Sequence, residues 1–287
     1  MSIENLGEEF LSIKEFAELV GMTIESLRHY DRKDVFHPAK RGIGFENKYR
    51  FYAPTQITTV KMIRTLAEIG VPLQTIKELA QNRTPEKLLK LLSKHKDIVT
   101  GQICYLQEVC SIVSTFTELL HSGVSAIEDE VYVSEMPENR ILLGGINDFE
   151  GSVGFYREFV RFYKAQHEPE LNMSYPIGGF WESMEAYLVE PSLPIRFFSL
   201  DPKGNERKAA GLYLIAYTRG YYAQTNDLPE RMAAFAKKNG LVFNGPVYNI
   251  YLFDEMSVAD PKQYLLQASA SVRETRRVSS RRSYKAT

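Results

Sequence analysis

Residues 86–121 contain no proline and only one glycine, Gly101. An uninterrupted helix of ~36 residues would span about 54 Å, longer than a small domain. Its apolar residues recur with a heptad period over five repeats. One seam is Leu92, Val99, Leu106, Val113 and Leu120; the other is Leu88, His95, Gln102, Val109 and Phe116. Such seams on a long helix call for a partner helix, so the stretch predicts a homodimer. His95 and Gln102 would weaken the second seam and could set its register. The alternative is a long helix packed on its own chain. Thr84-Pro85 supplies an N-cap followed by proline at the first helical position, and His121-Ser-Gly123 is the expected end.

The 287 residues suit two domains plus connectors. Ahead of the long helix, local helix signals dominate. Ser12-Ile-Lys-Glu15 is a capping box that opens an apolar pattern at Ile13, Phe16, Ala17 and Val20. Gly21 stops that helix, and Thr23 can cap a second one carrying Ile24, Leu27 and Tyr30 on one face. Two short helices joined by Val20-Gly21-Met22 read as a helix-turn-helix. Arg41-Gly-Ile-Gly44 and Lys48-Tyr-Arg-Phe-Tyr52 suit a short β-hairpin arm. Helical periodicity resumes at Ile57, Val60, Ile63, Leu66 and Ala67. Gly70 and Pro72 break it before a short helix over 73–80.

Net charge is −1, but the charge is unevenly distributed. Residues 27–100 hold 15 Lys/Arg against 7 Asp/Glu, whereas 123–271 hold 13 against 20. The tail 272–287 has 6 basic residues and one acid. That asymmetry is expected when one domain meets nucleic acid and another does something else. Beyond the long helix, alternating runs at 131–136, 140–146, 176–182, 211–219, 246–253 and 264–272 are interrupted by helical patterns at 152–166 and 227–239. This reads as an α+β domain with two similar halves. The tail from Arg273 lacks apolar periodicity and is expected to be disordered, with no specific role.

Residues 11–82 resemble the MerR family of bacterial transcription regulators. The resemblance rests on Leu11-Ser-Ile-Lys-Glu-Phe-Ala-Glu-Leu-Val-Gly, Thr23-Ile-Glu-Ser-Leu-Arg-His-Tyr-Asp, Lys48-Tyr-Arg-Phe-Tyr and Ile69-Gly-Val-Pro-Leu. It implies an all-α winged helix-turn-helix with a small β wing (11–82), a dimerising coiled-coil helix (85–121) and a C-terminal sensor. It also implies that a dimer binds double-stranded promoter DNA and, on effector binding, distorts an over-long spacer so that RNA polymerase can use it. The second helix would enter the major groove, with its early residues nearest the base edges. Thr23, Glu25, Ser26 and Arg28 are candidates there. Arg28 matches a DNA-contacting arginine, with guanine and phosphate both open as targets. Tyr30 matches a backbone-contacting tyrosine. His29 stands where the family usually has an aromatic tyrosine. Arg50 and Tyr52 match wing positions that touch phosphate, and Arg64 is a further phosphate candidate.

Residues 128–272 resemble, more loosely, the GyrI-like effector-binding domains of multidrug-sensing regulators. The matches are Ile215-Ala-Tyr217, the helix at 227–239, and Pro246-Val-Tyr248 leading to Tyr264. The resemblance implies a hydrophobic or aromatic small-molecule effector in an aromatic cleft. Tyr156, Phe180, Trp181, Tyr217, Tyr221, Tyr222, Tyr251 and Tyr264 are the aromatic candidates, about half of them expected to touch a ligand. Trp181 leads them. Drug-sensing relatives have a buried glutamate where this chain has Asn249, and an acid where it has Gln263. An amide offers donors and acceptors but no charge, which favours a neutral or weakly charged ligand. Glu182 and Glu185 beside Trp181 could supply a relocated charge.

The competing readings are a GyrI-like small-molecule hydrolase and a non-catalytic ligand-sequestering protein. Asn249 is no general base at neutral pH, and no Ser-His-Asp or Cys-His constellation replaces it. Cys104 and Cys110 lie mid-helix, six residues apart and on different faces, so a metal or redox switch is not expected. No cofactor is implied. The acidic N-terminus has no basic or apolar leader pattern, and no apolar run approaches the roughly 20 residues of a membrane span. The expectation is a cytoplasmic protein without a membrane partner.

Overall fold

A computed structural model describes residues 10–42, 49–82, 84–151, 153–166 and 173–275. Gly44 and Lys48 of the arm motif, and the tail from residue 276, lie outside the described residues. The chain divides into two compact units, Met1–Cys104 and Tyr105–Thr287.

In the first unit β1 (Leu11–Ser12) leads into α1 (Ile13–Val20). The capping box closes as written: Glu15 N donates to Ser12 Oγ and Ser12 N to the Glu15 carboxylate. Gly21 ends α1 at φ +66°, a left-handed conformation that glycine adopts without penalty. Thr23 then caps α2 (Ile24–Arg32). Strands β2 (Lys40–Arg41) and β3 (Arg50–Tyr52) join β1 in a small antiparallel sheet, order β1-β3-β2. Helices α3 (Gln56–Glu68) and α4 (Leu73–Gln81) complete the unit. Its core holds Phe16, Leu27, Val60, Ile63 and Ile76. Tyr52 stacks on Phe16 and Phe36, with ring centroids 4.6 and 5.7 Å away.

Helix α5 runs Pro85–Ser125, so it continues through His121-Ser-Gly123 rather than ending there. Gly123 serves close packing instead: a Cβ there would come within 2.7 Å of the Phe253 ring. The two heptad seams have separate fates. On the second, Leu88 packs on the first unit's core, the His95 ring meets the Ile69 carbonyl, and Val109 and Phe116 pack with Ile112 and Tyr175. His95 therefore ties down the end of α3 rather than interrupting an interhelical seam. On the first seam, Leu92, Val99, Leu106, Val113 and Leu120 are 38–59% exposed. By length and composition α5 could also cross a membrane, with an 18-residue window of mean hydropathy 1.2. The heptad spacing of its exposed apolar residues is the pattern of a partner helix.

The second unit is built on an eight-stranded antiparallel sheet. In chain order it contains β4 (Val131–Met136), β5 (Asn139–Ile146), α6 (Gly154–Ala165), β6 (Ile177–Trp181) and α7 (Met184–Val189). Next come β7 (Arg196–Ser199), β8 (Glu206–Lys208), β9 (Gly211–Arg219), α8 (Leu228–Asn239), β10 (Leu241–Phe253) and β11 (Leu265–Glu274). The spatial order is β4-β9-β11-β10-β6-β7-β5-β8. Five strand spacings separate β11 from β8, about 24 Å in a flat sheet. Yet Lys208 on β8 lies 2.9 Å from Ser269 on β11, so the sheet curls strongly on itself. The expectation of a disordered tail from Arg273 fails at its start, because Arg273 and Glu274 pair with Val242 and Leu241.

Both sheet faces are buried. One carries Tyr213, Ile215, Tyr217, Tyr248 and Ile250. The other carries Leu214, Ala216, Val247, Leu266 and Ala268, which pack with Tyr187 of α7 and with Leu228, Met232 and Ala236 of α8. This is the α+β arrangement that the resemblance to effector-binding domains implies.

Candidate DNA interface and effector cavity

The early residues of α2 cap the helix. Thr23 Oγ1 accepts from Ser26 N at 3.0 Å and lies 2.8 Å from Ser26 Oγ. Arg28 is exposed and pairs with Glu25 at 2.6 Å, one turn earlier. Exposed pairs of this kind contribute little stability, so the guanidinium can leave for another partner at small cost. His29 is half-buried beside Tyr30.

Three of the DNA candidates sit differently from the expectation. Tyr30 is a core residue, and burial raises the pKa of its phenol. Tyr52 is fully buried in the Phe16–Phe36 stack, its hydroxyl has no hydrogen-bond partner among the described residues, and burial pushes its pKa up to about 12. It cannot reach a phosphate from there. Arg64 turns back on the fold: its guanidinium donates to the carbonyls of Val20 and Gly21 and pairs with Glu68. It thereby satisfies orphan carbonyls at the end of α1.

Arg50 belongs to a cluster that the sequence reading missed. Asp31, with only 3% of its side chain exposed, accepts from Arg50 Nε at 2.7 Å and Arg41 Nη2 at 2.5 Å, and lies 3.0 Å from His37 Nδ1. Burial alone would raise the carboxyl's pKa. Hydrogen bonds from Arg50, His37 and Arg41 outweigh it and hold the group below the ordinary carboxylate value. Asp34 extends the cluster through His37 and Lys77. One buried carboxylate at the end of α2 thus fixes arginines from β2 and β3. The signal available was Asp31 directly following Tyr30, with basic residues at 41 and 50.

The second unit contains a cavity of about 600 Å³, in the usual range for small-molecule sites. Its sheet wall is set by strand alternation. Ile177, Gly179 and Trp181 of β6, Phe197 of β7, Asn249 and Tyr251 of β10 and Leu266 of β11 all line it. Register agrees: Gly179 pairs with Asn249 and Phe197, and Tyr251 pairs with Leu266. Phe155, Tyr156, Phe159 and Tyr163 of α6 form an aromatic stripe on another wall, together with Phe116 of α5. Tyr221, Tyr222, Asp254, Glu255 and Met256 line it as well.

Of the predicted effector residues, the structure brings Tyr156, Trp181, Tyr221, Tyr222, Asn249 and Tyr251 together on this cavity. Phe180 and Tyr217 do not join them. Each is one residue out of step and faces the opposite side, Phe180 against Tyr248 at 5.5 Å and Tyr217 bonded to the Tyr132 hydroxyl at 2.8 Å. Tyr264 supports the cavity from behind, with its ring 5.4 Å from Tyr222 and 6.1 Å from Tyr221. Glu182 is exposed and off the cavity, as is Glu185, so neither is a relocated charge. The acids that do line it are Asp254 and Glu255. Tyr222 donates its hydroxyl to the Glu255 carboxylate. Burial raises the pKa of Asp254. A charge is thus relocated to the rim rather than to Glu182 or Glu185, while the buried part of the cavity carries the Asn249 amide. The missed aromatics Phe155, Phe159 and Tyr163 stand at i, i+4 and i+8, which was a readable helical stripe.

A capped helix-turn-helix with a small wing, a long helix and an α+β unit with a cavity combine a domain of DNA-binding type with room for a small molecule. Residues 11–83 match the MerR HTH family regulatory protein description. The match covers about the first quarter of the chain, which thus carries a MerR-type helix-turn-helix domain. It is 26% identical over 257 residues to the multidrug-efflux transporter 2 regulator of Bacillus subtilis, covering 88% of this chain and 92% of that one. The multidrug-efflux transporter 1 regulator of the same organism is 27% identical over 138 residues, 48% of this chain and about half (49%) of its own length. Among solved structures, the EcmrR–DNA complex overlaps 92% of this chain and 100% of its own at 16% identity, with a TM-score of 0.39.

Proposed function

We propose that the protein is a ligand-responsive bacterial transcription regulator. In this reading residues 11–82 bind promoter DNA, the helix from residue 85 dimerises through the exposed Leu92–Leu120 seam, and residues 128–272 sense a hydrophobic or aromatic small molecule. Effector binding favours a protein state whose contacts distort the promoter spacer, and that differential binding supplies the deformation energy. A promoter-bound regulator of this kind acts in the bacterial cytoplasm. Two curated relatives named as regulators of multidrug-efflux transporters support a sensing role. The observation that carries the proposal is the aromatic-lined cavity in a chain that also has a MerR helix-turn-helix.

Trp181 is the sole tryptophan and lines the cavity, so its fluorescence reports occupancy. A hydrophobic aromatic dye titrated into the full-length protein should quench it and raise transcription from the protein's own promoter in a purified system. Quenching with no change in transcription would leave a ligand-sequestering protein.

The exposure of Arg28 on α2 and its loose pairing with Glu25 support the reading of it as a DNA contact. Arg28→Ala should weaken binding to the promoter duplex by about 1–3 kcal/mol, measured by fluorescence anisotropy at fixed salt. Unchanged affinity would remove Arg28 from the interface.

A further inference from the structure

Asn249 supplies the amide among the strand residues that line the cavity. Its backbone is engaged on both sides, paired with Gly179 of β6 and Ala268 of β11. Its amide Nδ2 donates to the Tyr187 hydroxyl at 2.9 Å. Tyr187 is fully buried, and burial keeps its phenol protonated. The amide oxygen Oδ1 is buried and has no hydrogen-bond partner among the described residues, and the residue as a whole is only 5% exposed. An unmet buried acceptor is costly, and native structures seldom leave one without reason.

The surroundings leave that oxygen for a ligand. The Trp181 indole N–H already donates to the Glu190 carbonyl, so it does not serve Asn249. Across the strand pair stands Gly179, where a Cβ would come within 2.8 Å of the Trp181 ring and 2.9 Å of Pro194. The Trp181 ring and Pro194 thus occupy the place of a side chain there, and the room for a ligand is the cavity that Gly179, Trp181 and Asn249 all line. The acids of the rim, Asp254 and Glu255, come after the end of β10, and neither is a hydrogen-bond partner of Asn249 Oδ1.

We propose that the buried end of the cavity selects a neutral hydrogen-bond donor, an aryl hydroxyl or N–H, which Asn249 Oδ1 accepts while the aromatic ring lies beside Trp181. This rests on the reading of the cavity as the effector site. Asn249 then determines specificity: it rewards a donor and gives nothing to an isosteric ether or hydrocarbon.

The test uses full-length protein, Trp181 quenching and two probes of nearly equal shape, 2-naphthol and 2-methoxynaphthalene. 2-Naphthol should bind at least about tenfold more tightly than the ether. Asn249→Leu should erase that preference by weakening 2-naphthol while leaving the ether's affinity in place. Asn249→Asp keeps an acceptor and should retain the preference, which guards against a leucine variant that fails to fold. Equal affinities in the unaltered protein, or a preference that survives Asn249→Leu, overturns the proposal but leaves the effector cavity standing. Preference for the ether also overturns it, because the amide would then present its NH₂ group. If neither probe quenches Trp181, the reading of the cavity as the effector site falls, and the proposal falls with it.

Discussion

Asp31→Ala should destabilise the amino-terminal unit by about 3–5 kcal/mol and weaken DNA binding at the same time. The carboxylate is buried among Arg50, Arg41 and His37. Removing it leaves cationic groups crowded together without their common counter-charge, a costlier state than never having built the cluster. The same carboxylate orients the guanidinium groups of two wing strands, so its loss frees them to swing. Denaturant unfolding of the full chain should show an early transition from this unit, and anisotropy should show reduced affinity even where the unit is still folded.

The pH dependence follows from the depressed pKa of Asp31. Its stabilisation is complete above the ordinary carboxylate value, near pH 4, and is lost as pH falls through the lower folded-state value. The Asp31→Asn variant has no carboxyl to titrate there. Its stability deficit should therefore close in acid. A deficit that did not shrink below pH 4 would mean that the substituted amide fails for shape rather than charge. Arg28→Ala should leave this stability profile unchanged, which separates a surface DNA contact from a residue that holds the wing.

The helix-turn-helix was legible because its signals are local. Ser12, Glu15, Gly21 and Thr23 each act within four residues along the chain. What Tyr52 and Arg64 do was not legible, because a tyrosine or arginine in such a motif can face DNA or the core, and only packing decides. Phe16 and Phe36 lie far from Tyr52 in sequence, and the carbonyls that Arg64 meets belong to a helix end more than forty residues away. The heptad pattern of α5 was plain in the sequence, yet it could not say which seam was already occupied. His95 looked like a polar interruption until its partner, the Ile69 carbonyl, was in view.

The effector unit was half legible for a related reason. A sheet with one wet face reveals its inner residues by alternation. Here both faces are buried, so Phe180 and Trp181 look equally apolar and parity cannot be read from composition. Register settles it: Trp181 faces Val247 and the cavity side, while Phe180 faces Tyr248. The short elements α7, β7 and β8 were missed because so few residues carry too little periodicity. Asn249, in contrast, was singled out from one substitution against a family pattern, and the structure gives the amide a definite chemical state.

Lys208→Met should stabilise the effector unit at neutral pH, by up to about 3 kcal/mol. Lys208 is 6% exposed at the edge of the curled sheet. Its ammonium donates to Ser269 Oγ at 2.9 Å and lies 4.7 and 5.0 Å from the ring centroids of Tyr248 and Tyr213. Those neutral partners do not match the water it has lost, and burial pushes its pKa from 10.5 down to about 8. A shift of that size is worth about 3 kcal/mol. Because the folded-state value is the lower one, the cost is full below pH 8 and fades as pH rises toward the unfolded-state value. Methionine keeps the length, loses the charge and packs well against aromatic rings. Its advantage in denaturation midpoint should therefore be largest at pH 7 and should shrink by pH 10. A methionine variant less stable than the unaltered protein at pH 7 would show that the two tyrosine faces and Ser269 hold the ammonium better than water does. Lys208 would then be a clamp that closes β8 onto β11 rather than a buried cost of that closure.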